Sequence, residues 1–136
     1  MAVTGGDVLE VRYNNDNVGE GVFYVKSGED MTFDEGGFRN EDEAGAMSGS
    51  GEAIYKMNQV RWMLEGPMVW NMITQNELER LSQLAEDLGE TQFTIRHING
   101  TIWAGVGKVV GDIQGGSQEA TIPIKLAGGG RLRKVV

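Results

Sequence analysis

The segment from Phe93 to Leu126 carries the local pattern that most restricts how this chain can fold. Apolar and polar residues alternate from Phe93, the dipeptide Asn99-Gly100 follows, and a second strand-like run comes after it. Asn-Gly between two such runs is typical of a two-residue hairpin turn of the primed type. Gly115-Gly116 turns the chain again before a third alternating run, Ala120 to Leu126. The segment therefore predicts three strands of an antiparallel sheet.

Glycines leave one side of the second run in this segment with few side chains. Gly105 and Gly107 fall on the same side as Trp103, so another backbone or an aromatic ring can approach that side closely. We expect these three residues to pack against another sheet or another subunit. In the third run, Pro123 cannot donate a hydrogen bond to a neighbouring strand, which predicts a sheet edge or a bulge at that position.

Two further regions predict the rest of the sheet. Val8 to Tyr13 and Val18 to Lys26 flank a turn rich in Asn and Asp, which predicts an N-terminal hairpin. That turn does not complete a calcium loop, because such a loop needs a bidentate Glu at its twelfth position. Ala53 to Glu65 predicts one long strand whose apolar side changes midway, as at a bulge, and Gly66-Pro67 should end it.

One helix is predicted, from Gln75 to Leu88. Thr74 followed by Glu77 matches a capping box, and Ile73 is placed to form a hydrophobic staple with Leu78. Apolar residues at helical spacing predict that one side packs on the sheet. This stripe consists of Leu78, Leu81, Leu84, Ala85 and Leu88.

A long acidic stretch, residues 34–52, lies between the first strands and the central ones. It contains several glycines and few apolar residues, and between Glu29 and Glu52 there are eight acidic side chains against one basic residue. A loop of this length in a compact domain often contacts a partner. The composition fits equally well a loop that becomes ordered on a partner and a loop that is simply mobile. If the loop becomes ordered, the contact would bury Phe38 and Met47.

The order of the elements predicts a single α+β domain over residues 1–136. The fold should be mainly an antiparallel β-sandwich or open barrel with one packed α-helix at about residues 75–88 and the long acidic loop at about 34–52. With 136 residues, of which 40% are hydrophobic, the chain can bury a real core. No run reaches the roughly 18–20 apolar residues of a membrane helix, so we expect a soluble protein without membrane contact.

The composition argues against an enzyme. Cysteine is absent, and the one histidine, His97, has no acid or nucleophile beside it in the sequence. The acidic loop lacks the fixed, buried surroundings that catalytic carboxylates need, and no glycine pattern completes a phosphate-binding motif. We therefore expect no catalytic residue, no cofactor and no metal. The net charge of −8 also argues against a protein that grips DNA or RNA.

The order of these features resembles the tail tube subunits of contractile-tailed phages. The resemblance is carried by TFDEGGFRNEDEAGAMSGSGEAIYKMNQVRWMLEGP, INGTIWAGVGKVVGDIQ and ATIPIKLAGGG, and it spans nearly the whole chain. It implies a structural virion protein whose copies close into homo-hexameric rings, which stack into a hollow tube. The lumen of such a tube is acidic, so genomic DNA would pass through it during ejection without specific binding.

The resemblance also implies partners and contact residues. The partners would be other copies of the chain, the tail sheath, the baseplate and the tail terminator, in a virion tail assembled in the host cytoplasm. The acidic loop would reach the adjacent ring through Asp34, Glu35, Phe38, Arg39, Glu41, Asp42, Glu43 and Met47. Packing between subunits or sheets would involve Trp103, Gly105, Gly107, Arg131 and Arg133.

Two alternatives remain open at this stage. Inner-tube proteins of phage-like contractile injection or secretion systems share the implied architecture without necessarily carrying DNA. A monomeric β-sandwich binding module would instead present an exposed aromatic face, which Trp62, Trp70 and Trp103 could supply. Core or interface packing is the commoner role of such aromatic residues in a small domain.

Overall fold

The computed structural model describes residues 2–71 and 73–136, and within them the chain forms ten β-strands and one α-helix. All strand pairs are antiparallel. In chain order the elements are β1 (Val8–Asn15), β2 (Gly19–Tyr24), β3 (Thr32–Asp34), β4 (Gly37–Asn40), β5 (Met57–Val60), β6 (Trp62–Val69), α1 (Asn76–Glu86), β7 (Thr91–His97), β8 (Ile102–Val109), β9 (Thr121–Gly128) and β10 (Arg133–Lys134).

The main sheet has the strand order β2-β1-β7-β8-β9-β6-β3, with β10 also paired to β8. Strand β8 links the two halves, because Trp103 and Ala104 near its start pair with β10 and Lys108 and Val109 at its end pair with β9. The sheet bends over at β8 and encloses one hydrophobic core. A bridge between Val25, just after β2, and Met68 on β6 connects the two halves without closing a barrel. The predicted α+β class, an antiparallel sandwich with one helix, is confirmed.

Trp62 occupies the place where the two halves of the sheet meet. Its side chain is fully buried, its Nε1 donates to the Val106 carbonyl oxygen at 3.1 Å, and its ring meets Phe93 edge-on at 6.2 Å. Glycines make room for the indole: a Cβ at Gly107 would lie 2.8 Å from the ring, and one at Gly128 would lie 2.5 Å from Nε1. The thin side predicted for β8 therefore receives a ring from the same chain.

The helix begins differently from the prediction. Gln75 precedes the first helical residue in a left-handed conformation, with φ of 54°, and no side chain caps the helix. The Glu77 carboxylate accepts a hydrogen bond from the Asn71 backbone N–H at 3.3 Å. The predicted capping box at Thr74 is therefore wrong, because Glu77 is engaged by a residue further back in the chain. Ile73 is 93% exposed, so the predicted staple does not form either.

The apolar side of α1 is shorter than the predicted stripe. Leu81 and Leu84 are buried in the core, and Leu78 and Ala85 pack at its margin. Leu88 is 97% exposed, because the helix ends at Glu86 and the chain leaves the sheet before the stripe is complete.

A polar network fastens the end of α1 to the β1–β2 turn. The buried Asn15 donates from Nδ2 to Asp87 and to Thr91, at 2.9 Å in each case. Asn17 donates to the other Asp87 oxygen at 2.9 Å, and Lys108 donates to the Asp87 carbonyl oxygen at 2.6 Å. The hydrogen bonds from Asn15 and then Asn17 lower the pKa of Asp87. The polar side chains of this turn thus serve as structural links, as expected for a plain turn.

The β7–β8 turn has three loop residues instead of two. His97 N donates to the Thr101 oxygen at 2.9 Å, and Gly100 N donates to the His97 oxygen at 3.0 Å. Gly100 has φ of 88°, whereas Asn99 is not left-handed. This is a type I turn followed by a glycine bulge, and the predicted primed turn is wrong because it needs positive φ at both central residues.

Pro123 lies on β9, which runs between β8 and β6. Its register partner is Pro67, which lies within β6. Opposite residues of a hydrogen-bonded pair exchange two N–H···O bonds, which two prolines cannot do, so this pair occupies a non-hydrogen-bonded rung and the missing donor of Pro123 faces the other side of β9. On that side β8 pairs only with Leu126 and Ala127, so Pro123 occupies a locally open edge, as predicted. The predicted strand end at Gly66-Pro67 is wrong, because β6 continues to Val69.

Replacing Gly107 by Ala should destabilise the fold. The new Cβ would meet the Ala127 carbonyl oxygen at 2.2 Å as well as the Trp62 ring, so β8 and β9 would have to separate. We expect a loss of about 1–3 kcal/mol in the free energy of unfolding, measured by chemical denaturation of dilute protein. Gly129→Ala is the control, because a Cβ there meets nothing within 4 Å. Equal denaturation midpoints for Gly107→Ala and Gly129→Ala would contradict the close packing of Gly107 against β9 and Trp62.

Candidate assembly interface

The predicted acidic loop and the start of the predicted long strand form one β-hairpin, here called the arm (residues 37–60). Strands β4 and β5 pair from Gly37 opposite Val60 to Asn40 opposite Met57. The pairing continues outward through a 2.9 Å bond from the Glu41 N–H to the Lys56 oxygen. Further out, Met47 and Ala53 form an isolated bridge.

The tip of the arm repeats the turn geometry of β7–β8. Ser48 N donates to the Glu52 oxygen at 2.8 Å, and Gly51 N donates to the Ser48 oxygen at 3.0 Å. Gly51 has φ of 91°, as the bulge position of such a turn requires. The acidic stretch is therefore part of a hydrogen-bonded hairpin whose outer pairing is interrupted by a turn at residues 43–46.

The arm also changes the interpretation of the long strand predicted at Ala53–Glu65. Two strands lie there, β5 in the arm and β6 in the main sheet, and they are separated at Arg61. The apolar side of the sequence changes at the boundary between β5 and β6, and this change is what suggested a bulge. Residues before Arg61 lie outside the core, and those after it enter the core.

No residue of the arm is buried in its own subunit. Phe38 and Met57 are 67% and 66% exposed, and their register positions place them on one side of the hairpin. Tyr55, which is 79% exposed, precedes β5, and continued alternation along the paired segment puts it on the same side. The opposite side is mainly polar, with Asn58 donating to Glu41 at 2.8 Å, although Ile54 and Val60 also lie there. The arm is thus amphipathic and its apolar side is open.

Gly36 sets the direction in which the arm leaves the core. Its φ is 76°, and a Cβ there would lie 2.7 Å from the Trp62 backbone nitrogen and 2.9 Å from the carbonyl oxygens of Val60 and Gly130. Gly36 also forms a bridge with Arg131. Only glycine combines this conformation with so close an approach of three backbone segments.

Ion pairs surround Gly36 and complete the attachment of the arm. Arg39 pairs with Asp34, whose Oδ1 also accepts the Gly36 N–H at 2.9 Å. The guanidinium of Arg39, and next the Gly36 N–H, lower the pKa of Asp34. Arg131 donates to Glu35 at 2.8 Å. The predicted contact residues Asp34, Glu35 and Arg39 therefore hold the arm to its own subunit.

A groove of about 360 Å³ lies between the arm and the segment that follows β9. We call it the root groove. It is lined by Gly37, Phe38 and residues 59–61 of the arm and its base, and by residues 129–131. Arg61 was not singled out from the sequence, because the groove combines three chain segments that only the fold brings together.

The remaining predicted contact residues lie in different surroundings. Gly105 and Gly107 face the Trp62 ring of the same chain. Trp103 is half-buried and meets Phe33 edge-on at 5.2 Å, whereas Arg133 is exposed on β10. The outer residues Glu41, Asp42, Glu43 and Met47 are all exposed on the arm.

An exposed face of three tryptophans is not formed. Trp62 is fully buried and Trp70 is 9% exposed. Among residues 2–71 and 73–136, no group of three or more His, Asp or Glu side chains is placed to hold a metal ion. The helix in that part of the chain lacks the length and apolar character to cross a membrane.

Comparison with known proteins gives one weak structural neighbour to report. No family model matches the chain, and no curated protein matches it significantly. The chain is similar to one in the structure described as "Cryo-EM structure of the anti-feeding prophage (AFP) baseplate, 6-fold symmetrised". The alignment covers 100% of this chain and 95% of that chain, at 15% sequence identity and a TM-score of 0.36.

Acid should loosen the attachment of the arm. Because folding lowers the pKa of Asp34, its stabilising contribution is complete above the pKa of an unfolded Asp, about 4, and is lost as the pH falls below that value through the folded-state pKa. We expect the NMR signals of the Gly36 and Arg39 amides to shift in this acid range. In Asp34→Asn these two amide signals should not shift over the same pH range. A shift of the same size in that variant would show that Asp34 is not the group that titrates.

Proposed function

We propose that this chain is a structural subunit of a phage tail or a phage-like contractile particle, and that its copies assemble through the arm. In this proposal the copies form stacked hexameric rings, which build a hollow tube for the passage of DNA. The particle would be the virion tail, assembled in the host cytoplasm, and the tube would meet sheath, baseplate and terminator proteins. The chain would have no catalytic role.

The arm is the observation that carries this proposal. A two-stranded hairpin is marginally stable at best in water, and this one buries none of its side chains in its own subunit. Its open apolar side, with Phe38, Tyr55 and Met57, is the kind of surface that marks a protein contact. Ion pairs and Gly36 nevertheless hold it in a defined direction. A fixed hairpin of this kind suits repeated contact with identical copies.

The sequence patterns supply the second line of support. A TM-score of 0.36 does not establish a shared fold, so the choice of a tail tube comes from the resemblance of the quoted segments to tube subunits. The net charge of −8 is consistent with a conduit that does not retain DNA. The same features fit the inner tube of an injection or secretion system, which is the second candidate.

Negative-stain electron microscopy of the purified protein tests the proposal directly. We expect rings or hollow tubes of uniform width at high protein concentration. A monodisperse monomer at the highest soluble concentration would rule the proposal out and favour a monomeric binding module.

Removing the apolar side of the arm should impair assembly and leave the fold intact. We expect Phe38→Ser/Met57→Ser to raise the concentration needed for assembly at least about tenfold, since burying one large apolar side chain contributes about 1.5–3 kcal/mol. Light scattering measures assembly, and the unfolding midpoint should stay unchanged.

Ile73→Ser/Leu88→Ser is the control, because these two apolar residues are even more exposed than Phe38 and Met57 and lie outside the arm. An equal loss of assembly in both double variants would show that general hydrophobicity, and not the arm, drives association. Deleting residues 41–51 should likewise preserve the fold and prevent rings from stacking. Normal tubes from that deletion would show that the outer arm has no role in assembly.

A further inference from the structure

The outer part of the arm carries unbalanced negative charge. Residues 41–56 contain four acidic side chains and one basic side chain, Lys56, and all five are exposed. Lys56 pairs with Glu43 at 2.8 Å. Asp42 and Glu52 have no ion-pair partner within the part of the chain that the structure describes. Between them lies Met47, which is 56% exposed.

The surroundings of the root groove carry the opposite charge. Arg61 lines the groove, and Arg133 lies on the same side of its strand as the groove residue Arg131, because the Leu132 between them is buried. Neither Arg61 nor Arg133 has an ion-pair partner among the described residues. The groove itself is lined by Phe38 and Val60, so an apolar cleft lies among unpaired cations.

Within the described residues of one copy, no ion pair joins the acidic surface to the basic one. The β4–β5 pairing, from Gly37 opposite Val60 to Asn40 opposite Met57, separates the outer arm from the root groove along the hairpin. Each copy therefore displays both surfaces at once, one at each end of the arm. Opposite charge and an apolar side chain facing an apolar cleft make the two surfaces complementary between copies.

We propose that the outer arm (residues 41–56) of one copy docks in the root groove of a second copy. Met47 fills the apolar lining, while Asp42 and Glu52 meet Arg61 and Arg133. This inference rests on the proposed function and names the receiving surface. Because the two surfaces differ, the contact is head-to-tail, so every copy that donates an arm still offers an empty groove. The contact can therefore repeat along a tube.

Charge reversal on either surface tests this docking. We expect Arg61→Glu/Arg133→Glu, and separately Asp42→Lys/Glu52→Lys, to raise the concentration needed for assembly about tenfold or more. An equimolar mixture of the two variants should recover much of the assembly, because reversed arms then meet reversed grooves. Lys26→Glu/Arg80→Glu is the control for the first variant, since it makes the same change in net charge at positions outside both surfaces. An unchanged assembly concentration in both reversed variants would overturn the docking.

Cross-linking locates the contact independently of charge. The chain has no cysteine, so single cysteines can be added at chosen positions without competing thiols. We expect Glu52→Cys mixed with Arg133→Cys to give a covalent dimer with a short bis-maleimide, and Glu52→Cys mixed with Glu86→Cys to give none. Glu86 is exposed on α1 and serves as the control.

The two proposals fail in different ways. Tubes that form without a cross-link between positions 52 and 133 would overturn the docking and leave the assembly function standing. Protein that neither assembles under the microscope nor cross-links would overturn both.

Discussion

The burial of the Trp62 indole is the interaction on which the rest of the structure depends. The ring lies where β8 passes from one half of the sheet to the other, and glycines on β8 and β9 leave it room. Its bond to the Val106 oxygen gives the indole N–H the partner that a fully buried donor requires. The backbone nitrogen of the same residue lies against Gly36. One side chain and its backbone thus support both the core and the base of the arm.

Much of the main sheet could be predicted from the sequence. A half-buried strand shows alternating apolar and polar residues in its own sequence, whichever strand it pairs with. The runs that became β1, β7 and β9 show this period clearly. The errors arose where the outcome depends on a distant partner. Pro67 does not end β6, because it shares a non-hydrogen-bonded rung with Pro123, and nothing near Pro67 in the sequence indicates that pairing. Asn99-Gly100 predicted the position of the hairpin correctly but not its turn type, because only Gly100 takes a left-handed conformation.

The arm was predicted as a loop because its composition is that of a loop. Its strands are held by backbone hydrogen bonds and by polar pairs such as Asn58 with Glu41, which leave little hydrophobic alternation to detect. Phe38 and Met47 were recognisable as the large apolar residues of an acidic stretch. Arg61 and the root groove were not, because the groove combines segments from either side of the arm and from the end of β9.

The attachment of the arm at a single point has a mechanical consequence. Both strands of the arm leave the core beside Gly36, where backbone and ion pairs, and no buried side chains of the arm, make the connection. In the proposed assembly, this attachment sets the tilt between joined copies and leaves each hydrophobic core intact. The stiffness of the proposed filament would therefore be set at these ion pairs, and it could be tuned by substitutions there without altering the core.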